Sequence, residues 1–304
     1  MRPMEHLVST DESVRRSSEI EEITNLYFIH PIAARLTVLF AKWRLTPNVV
    51  SLTGMLSSML AALAYYHYQD LRYAIAGFLL MIIWHIMDGA DGQLARLTQS
   101  TSQSGKVIDG ICDYVTFIAV YVALALALSR TLGSWVWLLI VIAGACHAIQ
   151  AAAYEVQRQE YNFWGRDQKS AELPNMDQMS PRAGASTPQR LLDTLYGGYV
   201  RMQYRAAGVM PEARTQLALI LREQPQRAPA IRHRYREIFA PAVRHWSLLS
   251  ANYRTLGIFI AAALKVPEYY FGFEIFGFSA LTVLLIRHQR RCYQRFLGDL
   301  QSAQ

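Results

Sequence analysis

The sequence predicts an all-α integral membrane protein with six transmembrane helices, preceded by an N-terminal interfacial amphipathic helix. Three observations predict it. The 304 residues are 52% hydrophobic and only 17% charged, against about 25% charged in ordinary globular chains. Six apolar stretches run through the chain, most of them near the ~20 residues needed to cross a bilayer. Basic residues collect in the segments on one side of these stretches and are scarce in the turns on the other, the pattern of the positive-inside rule.

Residues 1–26 are polar, with Glu, Asp and Arg where the apolar core of a signal peptide would sit, and read as a mobile cytosolic tail. In 27–44, Phe28, Ile32, Leu36, Leu39, Phe40 and Trp43 recur at helical spacing while Arg35 and Lys42 share another face. That pattern predicts an amphipathic helix lying in the membrane interface. Thr46-Pro47-Asn48 breaks it and opens the next helix, because proline is tolerated in a first turn.

Residues 45–157 hold four predicted spans, at about Val49–His67, Tyr73–Met87, Val107–Leu128 and Trp135–Ala153. The second is short, and its helix is expected to run on to about Arg96. Residues 246–290 hold two more, at about Ser247–Val266 and Tyr269–Ile286. Gly133-Ser134 marks one tight turn, and Lys265 with Pro267 another. The aromatic run Tyr269-Tyr270-Phe271 is expected to lie at the membrane surface.

The turns on one side hold only Arg72, Arg130 and Lys265. Arg35, Lys42, Arg44, the Arg158–Arg244 stretch and Arg287, Arg290, Arg291 and Arg295 fall on the other side. Both termini, including the tail 291–304, and the long 158–245 loop are then cytosolic. That loop carries 14 basic and 8 acidic residues from Arg158 to Arg244, a net +6 that supplies most of the chain's +7. The basic residues flank apolar spans, so membrane headgroups explain them and no nucleic acid is called for. The Arg287–Arg291 cluster reads as an anchor attracted to anionic lipid. Within the loop, Leu173–Pro188 has linker composition. Thr187-Pro188 is placed to cap a helix using Leu191, Leu192, Leu195, Tyr199 and Met202, and Pro211 to open another through Leu217 and Leu221. The three cysteines, Cys112, Cys146 and Cys292, have no metal-ligand spacing and read as packing residues.

The stretch that carries chemistry is DGADGQLARLTQSTSQSGKVIDGICDYV, Asp88 to Val115. Asp88 and Asp91 are three apart and share one helix face; Asp109 and Asp113 are four apart and share a face of the next helix. A polar turn at Thr98–Ser104 brings the two pairs together. A single Asp at the centre of a membrane helix costs about 2.5–3.5 kcal/mol on insertion scales, so four clustered ones need compensation even near the interface. Hard divalent cations such as Mg²⁺ or Mn²⁺ supply it, and a pair of them suits displacement at a diphosphate. Gly92, Ala95 and Gly105 leave room for a ligand beside the carboxylates, and Arg96 offers a planar fork suited to phosphate.

The pattern Asp88-x2-Asp91-Gly92-x2-Ala95-Arg96-x8-Gly105-x3-Asp109-x3-Asp113 resembles, without departure, the signature of the CDP-alcohol phosphotransferases. The wider resemblance takes in the interfacial helix, Thr46-Pro47-Asn48 and six spans, over roughly 27–154 and 246–291, with a 158–245 loop longer than expected. It implies that Asp88, Asp91 and Asp109 ligate metal, and that Asp113 completes a two-metal site of Mg²⁺ or Mn²⁺ and serves as base toward the acceptor hydroxyl. It implies that Gly92, Ala95 and Gly105 line a cytidine pocket, that Arg96 contacts donor phosphate, that the enzyme releases CMP, and that it works as a homodimer.

Arg254, two turns into the fifth predicted span, is a candidate to hold an anionic group on the acceptor; snorkelling to the headgroups is the bland alternative. On that basis the leading acceptor is a phosphorylated polyol; the leading donor is CDP-diacylglycerol, a choice the sequence itself does not make. A soluble CDP-alcohol with a lipid acceptor, as in aminoalcohol phosphotransferases, is the alternative. His85, three residues before Asp88, is expected to be a packing residue more than a metal neighbour. In a different class, an ion-coupled carrier also uses membrane carboxylates, but places them near the midplane on broken helices; here they cluster at one edge.

Overall fold

The computed structural model describes residues 19–174 and 187–302, and among these the regular structure is helical throughout. Most of the 1–26 tail and of the Leu173–Pro188 linker lies outside the described residues. The chain forms two compact units, Met1–Ile140 with Arg254–Tyr270, and Val141–Tyr253 with Phe271–Gln304.

The first unit opens with a π-helical turn, Asn25–Ile29, that runs without a break into α1, His30–Lys42. The face this helix buries is Ile29, Ala33, Thr37 and Phe40, while Phe28, Leu39 and Trp43 stay exposed. The buried row is set by small side chains. Ala33 sits 3.4 Å from where a Cβ on Gly89 would lie, and the one Thr37 Oγ1 proton is shared between Ala33 O at 2.8 Å and Ala90 O at 3.2 Å. Close approach, rather than bulk, thus selects the contact face.

Thr46 caps α2, Pro47–Tyr66, with Pro47 in the first turn and the Val49 N–H given to the Thr46 hydroxyl at 3.4 Å. Gly54, Ser57, Ser58 and Ala61 make one face of α2 small. A Cβ on Gly54 would come within 3.0 Å of Met87 Cβ, so α2 and α3, Leu71–Leu97, are in backbone-close contact. Ser57 donates to Leu80 O at 2.8 Å, and Ser58 pairs with Thr116 at 2.8 Å, so each hydroxyl is satisfied where water is absent. The opposite face of α2 presents Leu52, Leu56, Leu60 and Leu63 outward. Asp70 caps α3, and its carboxyl is held down at about 2 by hydrogen bonds from the Arg72 side chain and backbone.

The helix predicted to outrun Met87 does so, ending at Leu97. A five-residue loop passes through Gln99, at φ 54°, before Ser102 caps α4, Gln103–Leu132. Gly133, at φ 87°, makes the expected turn into α5, Trp135–Glu160. Beyond the second unit the chain returns as α9, Ala251–Ala263, and Lys265 at φ 63° turns it into α10, Pro267–Ser302. In α9, Thr255 meets His85 Nε2 at 2.9 Å, so His85 is a buried, hydrogen-bonded packing residue. The aromatic run divides: Tyr269 is exposed, whereas Tyr270 and Phe271 are buried. Tyr270 turns inward because Gly257 leaves its ring a place, a Cβ there lying only 2.9 Å away.

The second unit contains most of α5, α6 (Thr187–Ala207), α7 (Pro211–Glu223), α8 (Ala228–Trp246) and most of α10. Helices begin at Thr187 and Pro211 as expected; the side chains of Leu191, Leu192 and Leu195 lie outside what is described. Its apolar core joins Ala153, Tyr154, Tyr204, Ala207, Trp246, Phe278 and Leu285. Tyr235 and Phe239 of α8 stack at 4.2 Å, with Phe296 edge-on to both. At the end of α5 the buried Glu160 carboxylate meets Arg214 at 3.2 Å and accepts from Trp164 Nε1 at 3.2 Å and Tyr293 Oη at 3.3 Å.

Among the described residues, five helical stretches are long and apolar enough to cross a membrane: Pro47–Tyr66, Leu71–Leu97, Ile108–Leu132, Trp135–Gly165 and Pro267–Leu300. The predicted span Ser247–Val266 takes a different form. A short 3₁₀ turn, Ser247–Leu249, precedes the 13 residues of α9, which rise only about 20 Å at ~1.5 Å per residue.

Candidate metal and donor site

Three of the four predicted carboxylates converge. Asp88 and Asp91 lie one turn apart near the end of α3, Asp109 lies in the second turn of α4, and one oxygen from each falls within 4.8 Å of the other two. The 98–102 loop between the helices brings them together. Asp91 is 4% exposed and lies within repulsive range of both partners; it accepts hydrogen bonds from Ser51 Oγ and from the Gly92 N–H. Asp113, one turn beyond Asp109, is outside the three-carboxylate group, although the Cys112 thiol lies within electrostatic range of all four aspartates.

A cavity of about 670 Å³ opens beside this group. Its walls include Asp91, Gly92, Ala95, Arg96, Gly105 and Asp109, together with Thr46, Pro47, Asn48 and Ser51. The Arg96 guanidinium lies over Gly92, with a terminal nitrogen 3.5 Å from where a Cβ would sit. Gly105 donates its N–H to the Ser102 hydroxyl at 3.0 Å, and a Cβ on it would meet that same oxygen at 3.0 Å. The wall is bare at Gly105 because a side chain there collides with the cap of α4.

The donor set fits a hard divalent cation. All three groups are carboxylates, which Mg²⁺ and Mn²⁺ prefer. Around an octahedral Mg²⁺ at ~2.1 Å per bond, oxygens stand about 3.0 Å apart when adjacent and about 4.2 Å when opposite, so the three need close by no more than about 2 Å. Without a cation the group concentrates like charge on a buried residue, Asp91, which accepts hydrogen bonds from Ser51 and the Gly92 N–H. Arg96 and the open glycine wall add one fixed positive charge and free volume on the same side, an arrangement that accommodates a diphosphate and a flat base.

Arg254 lies elsewhere. It is fully buried on α9, with hydrogen bonds to the hydroxyls of Tyr121 and Tyr270, which are themselves 3.4 Å apart. Neither it nor Asp113 lines the cavity among the described residues. Sequence reasoning missed Ser51 and Asn48. Thr46-Pro47-Asn48 reads in sequence as a helix start and as part of the wider resemblance, with no role at the site, yet its position opens α2 directly onto the cavity.

Residues 44–174 match the family model of the CDP-alcohol phosphatidyltransferases. The match takes in the whole aspartate motif, runs on past 154 to the first part of the long loop, and includes neither 27–43 nor 246–291. No curated protein matches the chain.

Proposed function

Taking residues 44–174 as a segment of the CDP-alcohol phosphatidyltransferase family, we propose that this protein transfers a phospho-alcohol group from a CDP-alcohol to a hydroxyl acceptor, releasing CMP. The observation that carries the proposal is the convergence of Asp88, Asp91 and Asp109 beside a cavity walled by Gly92, Ala95, Arg96 and Gly105. In this reading Asp88, Asp91 and Asp109 hold divalent cations, with Asp113 completing a two-metal site. Bound cations would neutralise the donor diphosphate and stabilise the leaving CMP oxygen. Gly92, Ala95 and Gly105 leave space for the cytidine, and Arg96 lies over the phosphates. Asp113 takes the acceptor proton as the acceptor oxygen forms its bond to the donor's β-phosphorus and the bond to CMP breaks.

CDP-diacylglycerol is the proposed donor and a phosphorylated polyol the proposed acceptor. What supports the acceptor is Arg254, a buried cation held by two tyrosine hydroxyls, where an anionic acceptor group has a counter-charge. The membrane arrangement proposed with it has six crossings, α9 and its preceding 3₁₀ turn making the fifth. The active site and both termini face the cytosol, and the exposed Phe28 and Trp43 of the N-terminal helix sit in the interface. The active form is a homodimer.

Asp113→Asn tests the assignment of the base. The variant should lose CMP release while keeping its fold and its affinity for the CDP-alcohol, measured by binding of CDP to purified protein. Full turnover in that variant removes Asp113 from the mechanism.

A further inference from the structure

We propose that Ser51 is a positioning residue of the metal site: its hydroxyl holds the Asp91 carboxylate in the rotamer that keeps it within reach of Asp88 and Asp109. This rests on the reading of the three aspartates as metal ligands.

Ser51 lies one turn into α2, outside the aspartate motif, and only 7% of it is exposed. Its oxygen meets two acceptors, the Asp91 Oδ2 and the Pro47 carbonyl at 3.2 Å. A serine hydroxyl has one proton to give. An ionised carboxylate only accepts, and a hydrogen bond to a charged oxygen is roughly twice as strong as one to a neutral carbonyl. With Asp91 ionised, as a metal-ligating carboxylate is, the proton goes to it. Both side chains are largely buried in the cavity wall, and a hydrogen bond so shielded is electrostatically stronger than one in bulk water.

The hydroxyl is also rigidly placed. Gly54, one turn further along α2, lets that helix close to within contact of Met87, and Ser57 fastens it again at Leu80 O. Asp91 is thereby gripped from a second helix on a fixed frame. Its own helix supplies the adjacent Gly92 N–H. Free of Ser51, the carboxylate would be pushed by Asp88 and Asp109 and would turn away from them. A purely structural serine makes a different prediction: its hydroxyl would be served equally well by the Pro47 carbonyl it also faces, four residues earlier, and the metal would not depend on it.

The test uses the full chain, purified in detergent, with Mn²⁺ binding followed by electron paramagnetic resonance and no substrate present. Ser51→Ala should weaken Mn²⁺ binding about 10- to 100-fold, the usual loss when a partner of a metal ligand is removed. Ser51→Thr keeps the hydroxyl and should restore affinity to within about twofold of the parent. Ser51→Cys keeps the volume with a poor donor and should fall with the alanine variant; it carries the test if the alanine protein does not fold. Mn²⁺ bound by Ser51→Ala or Ser51→Cys as tightly as by the parent overturns the positioning role alone. Failure of the parent protein itself to bind Mn²⁺ overturns the metal-site reading, and Ser51 with it.

Discussion

Arg214→Met should destabilise the protein by about 3 kcal/mol, because it leaves a carboxylate buried without its cation. Glu160 is fully buried, and Arg214 Nε stands 3.2 Å from its Oε1. Two unit charges at that separation attract by about 5 kcal/mol at an effective dielectric of ~20. Two features reduce what is lost. The Nε–H is not aligned to make a hydrogen bond with that oxygen, and the Arg214 side chain is 18% exposed, so water shares the compensation. The hydrogen bonds from Trp164 and Tyr293 survive the substitution. Breaking a buried pair costs about 3–5 kcal/mol, and these features put this one at the lower end. Methionine keeps an apolar stem near the Tyr204 ring, over which the guanidinium now sits at 5.8 Å. The assay is reversible unfolding in mixed micelles of the parent, Arg214→Met, Glu160→Gln and the double variant. Removing the charge with Glu160→Gln should rescue Arg214→Met, giving a coupling of about 2 kcal/mol in the double-mutant cycle. An Arg214→Met protein within about 0.5 kcal/mol of the parent, or no coupling, refutes the claim that this pair ties α7 to α5.

Gly257→Ala should cost about 1–3 kcal/mol by overpacking, since the new methyl would lie 2.9 Å from the Tyr270 ring; thermal unfolding of the purified protein reads it. Gly105→Ala should raise the KM for the CDP donor several-fold with a smaller change in kcat, because the methyl presses on the Ser102 cap at 3.0 Å and fills part of the cavity wall. Thr37→Val should cost about 1 kcal/mol, the net worth of a typical buried hydrogen bond, here the one that joins α1 to the Ala90 carbonyl beside Asp91.

The long apolar helices and the aspartate group were legible because each rests on a local signal: hydrophobic length for the spans, and three- and four-residue spacings for the carboxylates. Pro47, Gly133 and Pro267 likewise mark helix ends through backbone chemistry alone. What escaped depends on partners distant in sequence. Helix α8 was not foreseen: Pro229, Pro241 and its many arginines resemble loop composition, and only packing of Tyr235 and Phe239 against Tyr293 and Phe296 reveals its buried face. The face that α1 packs against α3 carried no signal for the same reason, because Ala33 and Thr37 are selected by closeness to Gly89 and Ala90 and not by hydrophobicity. Tyr270 read as a surface aromatic until Gly257 gave its ring a place. Ser51 carried no signal at all, since a serine in an apolar helix is unremarkable until the carboxylate opposite it is known.

The most direct test of the central claim is CMP release by the purified, detergent-solubilised protein given CDP-diacylglycerol, Mg²⁺ or Mn²⁺, and hydroxyl acceptors one at a time, followed by a soluble CDP-alcohol series with diacylglycerol. The account predicts CMP release that requires the metal, stops on chelation, and is lost in Asp109→Asn. A protein that binds no CDP compound and releases no CMP from any donor, with its fold intact, would contradict it.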